Sequence, residues 1–277
     1  MNKTVLMLAL VSLIGFGLVV SNSYAAAAPE RSGFMMLNSL SLLGAPVKDS
    51  HGEFLGIVNQ VFVDSRGHAL AIVNHGDYDL AGPGGINTPV PLEEFRIYKT
   101  RSGKDNIVFK MDAEHLDSAP YFDPTRINSR KYEGSIYEYY GINPYWAESG
   151  AAATMAKPSF MELNSLNLIG AAVKNSCGKE IGIVNEVMVD SGGHAFAVIN
   201  HGDYDLYGDS GANTPVPFQE LQIFQGKDGQ DVVTLKTDTE HLDFAPYLSP
   251  LQKNDRQYEA NIYEYYGIQP YWTQSGK

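Results

Sequence analysis

Two matching heptapeptides hold the best candidates for metal ligands in this chain. They are Asn74-His75-Gly76-Asp77-Tyr78-Asp79-Leu80 and Asn200-His201-Gly202-Asp203-Tyr204-Asp205-Leu206. In an extended segment, positions i, i+2 and i+4 share one face. His75 with Asp77 and Asp79, and His201 with Asp203 and Asp205, then offer one nitrogen and two carboxylates to a divalent ion. The competing reading is a loop, because Asp and Gly are ordinary turn residues. The spacing is also not that of a calcium loop.

The other histidines add little to such a site. His68 and His194 begin the strands that end near His75 and His201, and seven residues of strand place the two ends roughly 20 Å apart on opposite faces. His115 and His241 fall on a short helix and are expected at the surface or in packing contacts. His51 alone has no histidine counterpart, since Cys177 stands at the equivalent position. Cys177 is the only cysteine, so an intramolecular disulfide framework is excluded. It falls in an exposed turn, Asn175 to Gly178, where it is either a tolerated surface residue or a thiol open to intermolecular pairing. Nothing resembles a nucleophile elbow, a zinc-protease helix or a phosphate loop. No acidic pair is marked out as a general acid and base. The expectation is a protein that is not an enzyme and has no cofactor.

The most distinctive side chains are aromatic. Tyr137 to Trp146 reads YEYYGINPYW and Tyr263 to Trp272 reads YEYYGIQPYW, and together they hold both tryptophans. Tyr and Trp are enriched at binding hot spots because they combine rigid area with a polar tip. Tyr139, Tyr140, Tyr145 and Trp146, with Tyr265, Tyr266, Tyr271 and Trp272, are therefore candidate partner-binding residues. The other reading has each segment folding back to seal a core. Both hold if some rings pack inward and others stay outside.

The elements that position these residues come in two copies. A single offset of 126 lays the sequence on itself, with Leu37-Asn38-Ser39-Leu40 on Leu163-Asn164-Ser165-Leu166. Roughly 65 of about 110 aligned positions are identical, far above chance for one ungapped register. The division is residues 1–27 as signal peptide, 34–147 as the first repeat, 148–159 as an Ala/Ser/Gly/Thr-rich linker and 160–273 as the second repeat. The two repeats are expected to pack with pseudo-two-fold symmetry.

Within a repeat the pattern is one of short strands. Phe54 to Val63, Ala69 to Asn74, Thr88 to Leu92, Phe95 to Tyr98 and Ile107 to Met111 are separated by Gly, Pro and Asp signals at Asp49–Gly52, Asp64–Gly67 and Gly76–Gly85. Pro89 and Pro91 bracket Val90 and predict an irregular or edge strand. Asp112 to Ala119 is a short helix stopped by Pro120. Ser129 to Tyr140 is a second, with Ser129 as cap, Gly141 as terminator and an aromatic stripe. The fold class is mainly β: two small barrels in tandem, each followed by short helices and an aromatic C-terminal element.

The N-terminus differs in composition from the rest. Lys3, an apolar run from Val5 to Val20, polar Ser21-Asn22-Ser23 and the small residues Ala25 to Ala28 have the order of a secretory signal. The apolar run is short for a membrane anchor. The expectation is a periplasmic or secreted protein with no membrane insertion after cleavage. Across 277 residues, 20 Lys+Arg stand against 32 Asp+Glu, a net charge of −12. A nucleic-acid partner needs a basic face, and this balance argues against one.

In the order Ser39-Leu40, Leu43-Gly44-Ala45-Pro46-Val47, Gly52 to Val58, Val63-Asp64, Thr88 to Leu92 and Glu114 to Pro120, the sequence resembles the PRC-barrel family. The second copy repeats the pattern from Ser165 to Pro246. The resemblance implies a small barrel of about six strands per repeat that serves assembly or docking and carries no catalytic residues. The family's best-known settings are the H subunit of photosynthetic reaction centres and a ribosome-maturation factor. This chain lacks a membrane helix after cleavage and an RNA-facing partner domain, and is more similar to exported, free-standing PRC-barrel proteins. The function expected is that of an exported scaffold binding an unidentified envelope protein through its barrel faces and aromatic tails. The alternative is a metal- or ligand-responsive envelope stress protein using the His-Asp loops.

Overall fold

Turn chemistry divides each repeat into short strands. The computed structural model describes residues 36–76, 85–99, 105–144, 162–202, 211–225 and 231–273. The proposed signal and linker lie outside them. The first repeat runs β1 (Met36–Asn38), α1 (Ser39–Leu42), β2 (Pro46–Lys48), β3 (Phe54–Asp64), β4 (Ala69–His75), β5 (Ile86–Pro91), β6 (Phe95–Lys99), β7 (Asp105–Phe109), α2 (Ala113–Asp117) and α3 (Arg130–Tyr139). The second runs β8 (Glu162–Asn164), α4 (Ser165–Leu168), β9 (Ala172–Lys174), β10 (Glu180–Asp190), β11 (Ala195–His201), β12 (Ala212–Pro217), β13 (Leu221–Gln225), β14 (Asp231–Leu235), α5 (Thr239–Asp243) and α6 (Arg256–Tyr265). The protein is mainly β, with two curled half-barrel sheets in tandem and only short helices.

The turn between β3 and β4 shows how local chemistry sets the strands. Asp64 Oδ1 accepts the backbone N–H groups of Arg66 and His68, both at 2.8 Å, and Gly67 takes φ 88°, a conformation open to glycine at little cost. Asp190 repeats this on Gly192 and His194 at 2.8 Å. Further along the hairpin the two strands approach so closely that only glycine fits at position 56. A Cβ there would lie 2.2 Å from the Asn74 carbonyl oxygen, and one at Gly182 would lie 2.3 Å from that of Asn200.

Strand order in the first sheet is β5-β4-β3-β2-β7-β6 and in the second β12-β11-β10-β9-β14-β13. β2 pairs β7 in parallel, while its neighbour β3 is antiparallel. β5, with its two prolines, stands at the end of its sheet as their spacing predicts. Its outer edge is closed by the Phe122 N–H, which donates to the Asn87 carbonyl at 2.8 Å.

Each sheet has a seventh strand supplied by the other repeat. β1 lies on β10, with Met36 opposite Asp190, and β8 lies on β3, with Glu162 opposite Asp64. The repeats thus exchange their first strands reciprocally. The exchange runs about a pseudo-two-fold axis marked by an antiparallel bridge between His68 and His194. Ala69 N–H donates to Gly193 at 2.7 Å and Ala195 N–H to Gly67 at 2.6 Å. One buried apolar cluster runs through both repeats, from Leu37 and Val61 to Val187 and Phe196. Sequence reading treats each repeat as self-contained; the exchange is a long-range pairing that no local signal encodes.

The helices follow their caps. Asp112 accepts from the His115 N–H at 2.9 Å to start α2, and α3 ends at Tyr140 with Gly141 at φ 68°. Ser129 sits at the N-cap of α3 without a side-chain capping bond, whereas Asp255 caps α6 by accepting from Gln257 at 2.9 Å. Among the described residues no helix is long and apolar enough to cross a membrane.

Candidate functional site

The histidines that end β4 and β11 are clamps between elements. His75 is 1% exposed; its Nδ1 lies 3.0 Å from Asp117 Oδ1 on α2 and its Nε2 lies 2.8 Å from Thr88 Oγ1 on β5. His201 repeats this with Asp243 at 3.1 Å and Thr214 at 2.8 Å. Burial lowers the affinity of both imidazoles for a second proton, and the facing carboxylates partly restore it. Both ring nitrogens are engaged, so neither histidine is free to ligate a metal in this conformation. The proposed companions Asp77, Asp79, Asp203 and Asp205 lie outside the described residues. Among the described residues no group of three His, Cys, Asp or Glu is placed to hold a metal ion.

The Thr–His–Asp order has the outline of a nucleophilic triad. Thr88 and Thr214 are fully buried, however, and a nucleophile must reach its substrate. The arrangement ties α2 to the sheet.

The aromatic segments pack inward wherever they are described. Tyr140 and Tyr266 are 4% and 8% exposed and belong to the core, as burial of the α3 and α6 stripes requires. Tyr139 and Tyr265 are half-buried. Their hydroxyls donate to the His115 and His241 carbonyls at 2.6 Å, and their rings lie against those imidazoles. His115 and His241 are therefore packing residues. Tyr145 and Trp146 lie outside the described residues. Tyr271 and Trp272 turn back to the axis between the repeats, where Tyr271 stacks on His194 with ring centroids 3.4 Å apart and planes 7° from parallel.

At that axis the structure assembles a polar cluster that sequence reading misses. Asp190 and Glu259 are both 0% exposed. Asp190 Oδ2 accepts from the Tyr271 hydroxyl at 2.7 Å. Arg256 Nη1 donates to Glu259 Oε2 at 3.0 Å and to Tyr271 Oη at 2.8 Å. The guanidinium lies 4.3 Å from the Trp272 ring centroid, within cation–π range. Burial, reinforced by the Asp190 charge, pushes the Glu259 carboxyl up to about 9. Burial also acts to raise Asp190, but hydrogen bonds and charge from His194, with a hydrogen bond from Glu259, bring it below its ordinary value. From the first repeat, Glu93 meets Gly193, and its carboxyl is pushed up to about 7, mainly by burial, with Glu94 and Asp190 adding and His194 and Lys110 opposing. His68 is held well below its usual range by burial and by the neighbouring His194.

One sequence signal for this cluster exists. Glu133 and Glu259 fall on the apolar stripes of α3 and α6, at i−3 and i−4 from Ile136 and Tyr137, and from Ile262 and Tyr263. A carboxylate on a buried face needs a partner.

Three further features lie at the surface. A shallow cavity of about 310 Å³ is lined by Pro120, Tyr121, Asp123, Arg126, Tyr132 and Ser135. In the second repeat, the loop after α5 exposes Phe244, Tyr247 and Leu251 by 74%, 58% and 97%. Cys177 is exposed in its turn, with its N–H donating to Asn175 Oδ1 at 3.1 Å.

No protein-family model matches the chain, and a search of curated proteins finds no match.

Proposed function

We propose that this protein is an exported, non-enzymatic binding or scaffold protein that docks a partner on the loop after α5. The observation that carries the reading is the group Phe244, Tyr247 and Leu251, all more than half exposed within eight residues. Single exposed apolar residues are ordinary, and three within eight residues of one loop are the apolar area on which the docking reading rests. The first repeat has Ser118 and Thr125 where the second has Phe244 and Leu251, so folding of the repeat does not demand the apolar residues.

Export rests on the leader-like N-terminus, and the PRC-type assembly role rests on the resemblance of the repeats. Docking through the aromatic tails has less support than docking through this loop, because the described rings are engaged with their own chain. The metal-responsive alternative is weaker too, since His75 and His201 already use both ring nitrogens.

The test is capture of envelope proteins on the mature chain and on a Phe244→Ser/Leu251→Thr variant. A captured protein is then purified and its rebinding measured by calorimetry. A stoichiometric partner that binds the parent and loses at least about tenfold in affinity for the variant supports the reading. Equal binding by both, or no stoichiometric partner, removes this loop as the docking surface.

A further inference from the structure

We propose that the C-terminal aromatic segment is a strap, closed on the junction between the repeats by a proton held on one of two buried carboxyl groups, Asp190 and Glu259, and opened when that proton leaves. The strap is the Tyr271–Trp272 turn. Its closure goes beyond the docking reading and is independent of it.

Three elements meet at the closure. Asp190 ends β10 and is fixed by the turn that follows, because Oδ1 accepts from Gly192 and His194. That leaves Oδ2 for the Tyr271 hydroxyl. Arg256 and Glu259 lie one turn apart on α6 and form a 3.0 Å pair. Among the described residues no N–H or O–H donor reaches Glu259 Oε1, although that atom is sealed from solvent. Arg256 links the two carboxyls, because Nη1 donates both to Glu259 Oε2 and to the Tyr271 hydroxyl that Asp190 holds, and two buried carboxyl groups sharing one guanidinium form a neutral set only with a proton on one of them. The chemistry therefore assigns Glu259 as the neutral acid, Asp190 as the anion and Arg256 as the cation, a trio of net charge zero.

Loss of the proton places two anions, both 0% exposed, against one guanidinium whose side chain is 40% exposed. Like charges in low dielectric repel strongly, and relief comes from moving Asp190, Arg256 or both. These two groups hold the Tyr271 hydroxyl, so the strap loses its anchor. The remaining charged and titratable groups around the pair are few. His194 lies in the β10–β11 turn and Tyr263 on α6, and burial makes the Tyr263 phenol harder to ionise. Across the axis lie His68 with Arg66, and Glu93 with Glu94 and Lys110. Glu93 is already ionised above neutrality and adds to the repulsion.

Gly192 explains how the strap fits. A Cβ at that position would lie 2.5 Å from the Tyr271 hydroxyl.

The experiment reads Trp272 alone. The chain has two tryptophans, so Trp146→Phe leaves Trp272 as sole reporter. Its emission maximum and acrylamide quenching are followed from about pH 6 to about pH 10, with far-UV circular dichroism confirming the fold. The expected result is a closed, weakly quenched signal at neutral pH and a red shift with roughly twofold stronger quenching as pH passes about 9. Glu259→Gln, a neutral acid mimic of the same shape, keeps the closed signal throughout. Tyr271→Phe, which removes the hydroxyl that both partners hold, opens the strap at neutral pH. The proposal is overturned if Trp272 stays closed at high pH in an intact fold. It is equally overturned if Glu259→Gln opens at the same pH as the parent, or, should that variant not fold, if Tyr271→Phe behaves as the parent does.

Discussion

The two repeats are copies with the same backbone plan, yet they differ where they face each other and where they face solvent. Position 66 is Arg in the first repeat and its equivalent, 192, is Gly in the second; Glu93 corresponds to Gln219, Ser118 to Phe244 and Thr125 to Leu251. The hairpin aspartates Asp64 and Asp190, the buried glutamates Glu133 and Glu259, the clamp histidines and the β-hairpin glycines are unchanged between copies. These residues make the same turn, clamp and close-approach contacts in each copy, whereas core positions such as Leu70 and Phe196, or Phe109 and Leu235, exchange one apolar side chain for another. Residues at the axis and in the loop after the short helix meet different surroundings in each copy. Asymmetry there gives one chain two distinct faces, which a symmetric dimer of a single repeat cannot have.

The largest expected effect tests the equivalence itself. Gly56→Val and Gly182→Val each drive a side chain into the facing strand's carbonyl. Each is expected to cost roughly 3 kcal/mol in denaturant unfolding. The two values should agree within about 0.5 kcal/mol if the repeats carry equal loads in one cooperative unit. A large inequality would show that one repeat is the weaker partner.

Exchanging the axial residues comes next. Gly192→Arg brings a side chain against the Tyr271 hydroxyl and is expected to cost about 1–2 kcal/mol while raising Trp272 quenching. Arg66→Gly is expected to change stability by less than about 1 kcal/mol. Thermal melts and quenching check both, and equal effects would erase the distinction drawn between the two turns.

The Glu93–Gln219 difference predicts a pH dependence. Glu93 is raised in the folded chain from 4.5 to about 7, so the native state holds its proton more tightly than the unfolded one. Its stabilising contribution is full below the unfolded value and is lost as pH climbs through about 7. Allowing for its partial exposure, the loss is about 1–2 kcal/mol across that window. Glu93→Gln, which copies the second repeat, should flatten this part of the stability profile. An unchanged slope would assign it to other groups.

The smallest effect on stability belongs to Phe244→Ser/Leu251→Thr. Both residues are exposed, and the melting curve should move by no more than about 0.5 kcal/mol. A loss well beyond that would mean the loop packs on its own chain and is not reserved for a partner.

What the sequence revealed by itself was local and repeated. The single 126-residue offset, the short strands, the Asp-x-x-Gly turns, the Asp112 cap, the edge placement of Pro89 and Pro91 and the stop at Gly141 are all set by neighbours a few residues apart, so their physics is written in order along the chain. The axial contacts are of another kind. β1 reaching β10, His68 meeting His194, and Asp190 meeting both Glu259 and Tyr271 join residues far apart in sequence. Glu259 was visible only as a charge on an apolar stripe; which carboxylate it meets depends on how α6 settles against β10. Only the tertiary structure decided this. Long-range pairing is chosen by the free energy of burying the whole core, and that choice has no local signature.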